Sequence, residues 1–531
     1  MRQGKSATWE PELHKKYGPV VRIAPNEVLV CSEEGVRAIY GGLIQVLCVL
    51  INREDRLADP LLLGAGSPFV KGPWYTVCAI PSSHSVSAGS RLNLVTEMDK
   101  EIYRNQRRAI GPAYSVAGIE KHEMILNGHI DTYIAKLREM KGQWLDLSDW
   151  MHIYALDALS HITLGKNPGR TVKGHDDGNA IASDKTWAYF TVVGIFPGLV
   201  AITQSIPKVG LYLMIPISLA FGLSVPTGLP IFRFAVPKIM ERLAKVETAK
   251  MVSMPEDRVG ITYSRTKNDK SKKIATRYSD ANSSNDEQEE EEDSQEAAED
   301  LLATLLQEQA KKGDRFPAQW VLHIAITNFG AGHDTTTISL SAIIYHLASN
   351  PAALARLTKD LKDADIRRET PYTEIVNRAP YMQACMKEAM RLHPAIGFHL
   401  QRVVPSSGAS FSGYHLPAGT HVGANLIAVH RDPAIFEDPE SFKPERWLQD
   451  GTDEQKQKIG RLDQIWLGFG GGSRSCPGQY LARVLMVRLV VRLVQEFEFE
   501  VRGRPFIKGW FSAHLSGVDV LFKPRGEAVE G

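Results

Sequence analysis

The feature that most constrains the fold is the segment Phe469–Gly478, FGGGSRSCPG, a glycine-rich loop with one cysteine that leads into the apolar run LARVLMVRLVVRLV. The apolar run is typical of a buried helix. A cysteine in a loop just before a helix lies near backbone N–H groups and the positive end of the helix dipole, and both favour its thiolate form. Such a thiolate can hold a metal, so we expect Cys476 to lie in a ligand-binding core.

The residues around the cysteine indicate which ligand. The glycines let a large flat molecule pass close to the backbone, and Arg474 can reach an acidic group on that molecule. Haem meets both needs, with an iron for the sulfur and propionates for the arginine. A lone cysteine in a glycine-rich loop is more often structural, but Phe469, Gly472 and Gly478 also stand at fixed offsets from Cys476. We therefore predict a haem-thiolate site.

Composition excludes several classes of protein. The chain has 62 Lys+Arg against 61 Asp+Glu and a net charge of +1, which gives no basic surplus for a nucleic-acid partner. Its five cysteines are odd in number and form no Cys-x-x-Cys pair, which argues against a secreted disulfide framework. We expect a reducing compartment, or the cytosolic side of a membrane.

Helical spacing of apolar residues dominates the chain, and strand signals are short. Helical stretches follow Lys100, cover 143–164 and extend from 297 toward Pro405, whereas alternating segments predict strands in 19–32, 413–417 and 497–501. No internal repeat is visible. The fold class that we predict is mainly α with small β-sheets.

Two segments bear on membrane contact. The first residues contain no apolar run, so we expect neither a signal peptide nor an anchor there. Val209–Phe232 is 24 residues without a charge, long enough to cross a bilayer, but its prolines and glycines count against a straight helix. We expect an interfacial or substrate-channel segment, with a transmembrane span or plain core as alternatives.

Three further motifs precede the cysteine loop. Residues 331–336 read AGHDTT, Glu388 and Arg391 lie one helical turn apart in KEAMR, and Arg446 follows in FKPERW. Together with the loop and in the same order, these motifs resemble the signatures of the cytochromes P450, the haem-thiolate monooxygenases. The resemblance covers about residues 12–524.

The resemblance implies the contacts of a haem b cofactor. Cys476 would be the axial ligand of the iron, in a loop whose Phe469, Gly472 and Gly478 match the signature. The residues expected at the propionates are Arg107, Arg402, Arg474 and Tyr103. Tyr103 stands where the family commonly has Trp or His, so its bond would come from the phenol.

The resemblance also assigns roles to the other motifs. Asp334 and Thr335 would deliver protons during oxygen activation, as an acid and an alcohol. Glycine and threonine in a helix can instead serve tight packing, which is the alternative interpretation. Glu388, Arg391 and Arg446 would form a buried structural network that fixes the segment carrying Cys476.

The resemblance gives the domain organisation as one large haem-binding domain of the cytochrome P450 fold. The segments that we expect are an N-terminal tail without a membrane anchor (1–11), the domain itself (12–524) with a suspected insertion (42–65) and a charged loop (264–300), and a C-terminal tail (525–531). The insertion is inferred because the family passes within a few residues from the equivalent of AIYG to that of GSPFVKGPWY.

The implied activity is insertion of one oxygen atom from O2 into a hydrophobic small molecule. Electrons would come from NADPH through a separate NADPH-cytochrome P450 reductase. The largely apolar pocket regions offer His399 and His514 as polar handles. The segment KKYGPVVRIAPNEV is similar to the corresponding segment of filamentous-fungal members such as pisatin demethylase and the trichothecene oxygenases. This similarity indicates a role in secondary metabolism.

Two alternative functions remain. One is a haem-thiolate isomerase or dehydratase that needs no O2, against which the Asp334–Thr335 pair argues. The other is a haem-binding protein that has lost its activity, a relic of an enzyme. The sequence of residues 42–95, which is unusual for the family, favours this alternative. We expect membrane association, at the cytosolic face of the endoplasmic reticulum.

Overall fold

The computed structural model describes residues 6–41, 68–78, 94–194, 212, 216, 229–252 and 300–526. In this part of the chain helices predominate and the strands form small sheets, so the predicted fold class is confirmed.

The helices are α1 (Ser6–Tyr17), α2 (Glu33–Tyr40), α3 (Lys100–Ile110), α4 (Val116–Glu120), α5 (Glu123–Glu139), α6 (Leu147–Leu164), α7 (Arg170–Lys173), α8 (Asn179–Val193), α9 (Pro230–Val252), α10 (Leu301–Lys312), α11 (Ala318–Ser349), α12 (Pro351–Asp363), α13 (Tyr372–Arg378), α14 (Pro380–Leu392), α15 (Leu426–His430), α16 (Asp453–Ile465) and α17 (Gln479–Glu496). The strands are β1 (Val20–Ala24), β2 (Glu27–Val30), β3 (Val70–Lys71), β4 (Leu145–Asp146), β5 (Arg402–Val403), β6 (Ala409–Phe411), β7 (Tyr414–Leu416), β8 (His421–Gly423), β9 (Phe497–Lys508) and β10 (His514–Pro524).

The sheets collect strands from distant parts of the chain. A five-stranded sheet has the order β1-β2-β8-β5-β3, a three-stranded sheet has the order β4-β10-β9, and β6 pairs with β7. The hairpin predicted in 19–32 is confirmed, since β1 and β2 are antiparallel with Val21 opposite Leu29. The parallel pairing of β2 with β8 brings Arg402, on the next strand, into the same sheet as the N-terminal hairpin.

Helix α11 is the 32-residue centre of the fold. It packs against α6 over its most extensive contact and also touches α9, α14 and α17. Helix α17 begins at Gln479, directly after the cysteine loop, and its buried face is made of leucines and valines. The contact between α11 and α17 therefore brings the AGHDTT motif and the cysteine loop into one core.

Capping residues fix the helices that carry site residues. The side chain of Asp99 accepts the N–H groups of Glu101 and Ile102 at the start of α3, and Asp146 accepts the N–H of Asp149 at the start of α6. Side-chain acceptors at these positions satisfy N–H groups that a helix start leaves free. The registers of α3 and α6 are thus set by local sequence.

The packed domain begins earlier than the boundary at residue 12 that the sequence suggested. Helix α1 starts at Ser6, where Ala7 and Glu10 are buried, and it contacts α15. At the other end of the chain, β10 stops at Pro524. Asp300, placed in the charged loop, is instead the buried N-cap of α10, and it accepts the N–H of Ala303 at 2.7 Å.

Several predicted segments lie outside the described residues. These are the suspected insertion 42–65, residues 264–299 of the charged loop and most of the uncharged run 209–228. Among the described helices, none alone has the length and apolar composition to cross a bilayer. Only α11 and α12 taken together reach it, and their axes bend by 104° where they meet.

Candidate active site

The cysteine loop is closed by a backbone hydrogen bond. The N–H of Cys476 donates to the carbonyl of Phe469 at 2.7 Å. At Gly472 the backbone has φ +57°, and a Cβ there would lie 2.8 Å from the carbonyl oxygen of Tyr40. No other residue fits this close approach without strain, so the loop is locked against the end of α2.

There is open space beside the cysteine at Gly478. A Cβ added at Gly478 would meet only the sulfur of Cys476, at 4.0 Å, and Cys476 is itself half-buried. Burial raises the pKa of the Cys476 thiol, whereas the N–H of Gly478 and the charge of Arg107 lower it. The loop groups act in the direction that we expected, but burial outweighs them. A bound cation such as haem iron would add to their effect.

Arg107 lies on α3 and reaches the residue before the cysteine. Its guanidinium donates to the carbonyl of Ser475, to the Ser475 hydroxyl at 3.0 Å and to the phenol oxygen of Tyr103 at 2.8 Å. The i, i+4 spacing on α3 therefore joins Tyr103 to Arg107, and both lie against the loop.

Two further arginines complete a basic cluster. The guanidinium of Arg474 lies 3.8 Å from the ring centre of Tyr103 and donates to the backbone of Glu97. Arg402 donates to the phenol of Tyr75 at 3.3 Å. Burial lowers the pKa of Arg474, and the nearby charge of Arg402 lowers it further.

Within the described residues, none of the arginines predicted for the propionates forms an ion pair with a carboxylate. Their partners are carbonyls, hydroxyls and phenols, including those of Glu97, Ser475 and Tyr75. Like charges held together without acids in a partly buried place suit an anionic ligand. The donor set, the half-buried Cys476 and the open space at Gly478 fit haem with its two propionates.

Glu388, Arg391 and Arg446 come together in one network. Arg391 donates to both carboxylate oxygens of Glu388, at 3.0 and 2.9 Å, and Arg446 donates to one of them at 3.0 Å. Arg391 also donates to the carbonyls of His430 and Pro439. Since both charges of the α14 pair are fully buried, the network holds the following segment in one position.

An aromatic path joins this network to the cysteine loop. The indole N–H of Trp447 donates to Glu388 at 2.9 Å, and its ring lies 6.3 Å from that of Trp466. The ring of Trp466 lies 6.0 Å from that of Phe469, whose carbonyl holds the N–H of Cys476. The network therefore supports the position of the cysteine without touching it.

On α11, neighbouring motif residues face different surroundings. Ala331 is exposed although it lies mid-helix, and Thr335, one turn later, is half-buried and donates to the Ala331 carbonyl at 2.9 Å. Gly332 instead faces α6, where a Cβ would come within 3.1 Å of Leu159. Tight packing, the alternative interpretation of this motif, therefore applies to Gly332, while Ala331 and Thr335 border open space.

Tyr114 ties this stretch of α11 to the cysteine. Its phenol donates to Asn328 at 2.5 Å, and the charge of Cys476 contributes to its raised pKa, which burial dominates. Tyr114 is therefore close both to Asn328 of α11 and to Cys476.

Asp334 turns away from Thr335 and is buried. Its carboxylate accepts hydrogen bonds from the hydroxyl of Ser183 and from the indole of Trp187 at 2.9 Å. Burial raises the pKa of Asp334, but the charges of His333, His514 and His152 outweigh it and lower the value to about 2. Asp334 is therefore ionised near neutral pH and holds no proton to donate.

The two histidines expected as polar substrate handles have other partners. The ring nitrogens of His399 lie 2.9 Å from Glu10 and 2.8 Å from Glu27. His514 Nε2 lies 3.9 Å from an oxygen of Asp334. The first expectation is wrong, because two carboxylates occupy both nitrogens of His399.

Four aromatic residues, Trp74, Trp187, Phe398 and Phe511, form a stacked cluster that we call the aromatic wall. The ring of Trp74 stacks on Phe398 at 5.0 Å and on Phe511 at 5.1 Å, and Trp187 stacks on Phe511 at 4.6 Å. Trp74 and Phe398 are buried, whereas Trp187 and Phe511 are half-buried and offer an apolar surface.

Three residues of these networks were missed by sequence reasoning. Trp447 completes the Glu388 network, Tyr75 accepts from Arg402, and His152 approaches Asp334 at 4.0 Å. Trp447 directly follows Arg446 and could have been noticed as a donor. Nothing near His152 in the sequence marks it, since its partners lie on other helices.

The comparisons with known proteins agree with this geometry. The family model for cytochrome P450 matches residues 238–513. The chain is 31% identical to the cytochrome P450 monooxygenase sdnT of Sordaria araneosa, over 99% of this chain and 88% of the relative. It is 28% identical to the cytochrome P450 monooxygenase cicH of Emericella nidulans (93% and 83% covered) and 26% identical to a pisatin demethylase of Fusarium vanettenii (92% and 78%). The chain therefore belongs to the cytochrome P450 family.

Proposed function

We propose that this cytochrome P450 monooxygenase inserts one atom of O2 into a hydrophobic small molecule of fungal secondary metabolism. The observation that carries the proposal is the half-buried Cys476 beside the open position at Gly478, together with a cluster of three arginines that form no ion pair with an acid among the described residues. When bound there, haem supplies the iron chemistry that activates O2. The overall reaction consumes two electrons and two protons and releases one water.

The protein's own residues divide the remaining work. Cys476 would hold the iron as a thiolate, and Arg107, Arg402 and Arg474 would bind the propionates. Thr335 would pass protons at its Oγ1, which borders the open face of α11 beside Ala331. Asp334 is ionised, so in this scheme it could only relay a proton taken from a neighbouring imidazole.

The aromatic wall supports an apolar substrate. Its half-buried rings, Trp187 and Phe511, present apolar surface, so a hydrophobic molecule would bury area there without losing hydrogen bonds to water. The relatives bear the names of fungal monooxygenases and of a pisatin demethylase. These names support a substrate from secondary metabolism.

Electrons would come from NADPH through a separate reductase, with the protein at the cytosolic face of the endoplasmic reticulum. The reductase is supported by the reaction's need for two electrons from outside the protein. The location is supported by the uncharged run at 209–232, whose apolar side chains suit a membrane surface. Fractionation of expressing cells tests the location, which a chain wholly in the soluble fraction after gentle lysis would contradict.

The substitution Cys476→Ser tests the haem ligand. An alcohol donates far less electron density to iron than a thiolate, so the variant should lose the thiolate-type absorption band of the reduced protein with carbon monoxide, and with it all activity. Cys31→Ala is the matched control, because Cys31 is buried beside Asp432 and outside the site. An unchanged band in Cys476→Ser would overturn the assignment.

Isotope labelling separates the proposed reaction from the alternatives. With reductase, NADPH and 18O2, a monooxygenase places one labelled atom in its product. An isomerase or dehydratase forms product without label and without O2. A relic binds carbon monoxide after reduction but consumes no NADPH with any substrate tried.

A further inference from the structure

A second constellation of ligand atoms lies on the side of α11 away from the open face. His152 comes from α6, and His333 and Asp334 come from α11. The Nε2 atoms of the two histidines lie 4.0 Å and 3.3 Å from the same carboxylate oxygen, Asp334 Oδ1. The three ligand atoms lie within 4.8 Å of one another, and all three side chains are buried.

These three atoms lack hydrogen-bond partners among the residues that the structure describes. His152 Nε2, His333 Nε2 and Asp334 Oδ1 are each shielded from solvent and make no hydrogen bond, although the two nitrogens lie 4.0 and 3.3 Å from the oxygen. Buried polar atoms are rarely left so, because each costs about 1–3 kcal/mol. Three such atoms pointing at one place indicate a missing ligand.

The other nitrogen of each ring faces an oxygen atom. His333 Nδ1 donates to the carbonyl of Phe329, and His152 Nδ1 lies 3.2 Å from a carboxylate oxygen of Asp176. Metal-binding histidines are oriented in this way, with one ring nitrogen on a carbonyl or carboxylate and the other on the metal.

One ion could contact all three atoms, because both histidine Nε2 atoms lie within 4.0 Å of the Asp334 oxygen. A cation there would compensate the buried carboxylate and give each of the two imidazole nitrogens a partner.

We propose that His152, His333 and Asp334 bind a divalent first-row transition metal ion. Zinc is held by nitrogen and oxygen ligands in a tetrahedron, and two imidazoles with one carboxylate suit it.

The ion joins two helices near the active site, because His152 belongs to α6 and the other two ligands belong to α11. Asp334 also accepts hydrogen bonds from Ser183 and Trp187 of α8, so the ion would fix one end of the aromatic wall.

The metal content of the haem-loaded protein tests the proposal. The protein is purified with a tag free of histidine, incubated with Zn²⁺, dialysed and measured by mass spectrometry for zinc and haem iron. We expect zinc equimolar with haem in the parent, and loss of that zinc in His152→Ala and His333→Ala. His129→Asn is the control, since His129 is also buried, stacks on Tyr154 and lies outside the cluster.

A parent without zinc above background after this treatment overturns the proposal, and so does zinc that all variants retain. Normalising to haem excludes zinc held by Cys476 in haem-free protein. Asp334→Asn should also lose zinc. If Asp334 acts only as a proton relay, this variant changes the solvent isotope effect of turnover and the parent holds no zinc.

X-ray absorption at the zinc edge is measured on the parent protein, so this test does not depend on whether the variants fold. In the parent we expect nitrogen and oxygen neighbours at about 2.0–2.1 Å, with the outer-shell scattering of imidazole rings. Sulfur neighbours at about 2.3 Å, or a shell of water alone, would place the zinc elsewhere and contradict the assignment.

Discussion

At the scale of single residues, Thr335 and Asp334 show that two adjacent residues of one helix can face different surroundings and so have different chemical roles. Consecutive residues of a helix point about 100° apart. Thr335 therefore borders the open face of α11, whereas Asp334 points into the packed region between α6 and α8. Thr335 therefore has a proton-donating group beside open space, whereas the carboxylate of Asp334 is buried.

This placement predicts the effect of Thr335→Ala. The variant should keep its haem content and its carbon monoxide band, because Thr335 touches neither the cysteine loop nor the arginines. A positioned proton donor speeds its step by about a hundredfold or more, so product formed per NADPH consumed should fall steeply and hydrogen peroxide should rise. The measurement is the ratio of product, peroxide and NADPH.

Two variants sharpen this test. Thr335→Ser retains the hydroxyl and should restore most of the coupling. Thr337→Ala removes a similar bond, from Thr337 to the carbonyl of His333 at 2.8 Å, at a fully buried position of the same helix. If Thr335→Ala and Thr337→Ala couple NADPH to product equally well, Thr335 has no part in proton delivery.

Local sequence could predict the residues whose chemistry depends on near neighbours. The cysteine loop carries its own glycines, arginine and helix start, so the site around Cys476 was predictable. His399 shows the opposite case, because its partners Glu10 and Glu27 lie 389 and 372 positions away. No spacing rule connects such residues, and only the packing of α1 and β2 brings them together.

At the scale of elements, the Glu388 network joins α14 to the segment before α16 and predicts the effect of Glu388→Gln. The substitution leaves Arg391 buried with a neutral partner. Removing one member of a buried ion pair costs about 3–5 kcal/mol. We expect loss of most haem binding and a lower urea midpoint, measured by absorption and fluorescence.

Glu440→Gln is the matched control, because it removes a glutamate charge from the same region without touching the Glu388 network. Glu440 lies in the same segment, is exposed and approaches Arg431 at 3.6 Å. Exposed pairs contribute little, so Glu440→Gln should bind haem as the parent does. Equal haem content in both variants would show that the network does not support the cysteine loop.

Helix α1 is held by a second buried ion cluster, which predicts a pH dependence of stability. Burial lowers the pKa of His399, but the charges and hydrogen bonds of Glu10 and Glu27 outweigh it and raise the value to about 10 from 6.5. Because the folded value is the higher one, the stabilisation is complete below pH 6.5 and is lost as pH rises through about 10. The slope for one proton is at most about 1.4 kcal/mol per pH unit.

Urea unfolding of the parent between pH 6.5 and 10 measures this slope. His399→Gln should remove it, while His415→Asn should keep it, since His415 is exposed and bonds only to Ser410 at 3.0 Å among the described residues. Glu27→Gln, if His399→Gln does not fold, should shift the loss of stability to lower pH. A parent slope identical to that of His399→Gln would contradict the ion cluster.

At the scale of the whole molecule, the sequence predicts helices better than it predicts their arrangement. Apolar periodicity is local, so the stretch after Lys100, the helix ending at Leu164 and the hairpin in 19–32 could be predicted. The parallel pairing of Glu27 with His421 could not, because it joins strands from opposite ends of the chain. The early start of the domain at Ser6 follows from Glu10, whose charge is compensated by His399.

The last prediction concerns residues 42–65, which lie outside the described part of the chain and contain the apolar text LIQVLCVLI. If they form an added surface loop, doubling a loop's length costs only about 0.6 kcal/mol, so the fold tolerates them. Their exposed apolar side chains would favour aggregation. Deleting 42–65 should therefore keep haem incorporation and raise the yield of soluble, haem-loaded protein, measured by its carbon monoxide spectrum. Deleting 268–291, of equal length but charged and polar, should leave the yield unchanged. Loss of haem incorporation on deleting 42–65 would instead make this segment part of the core.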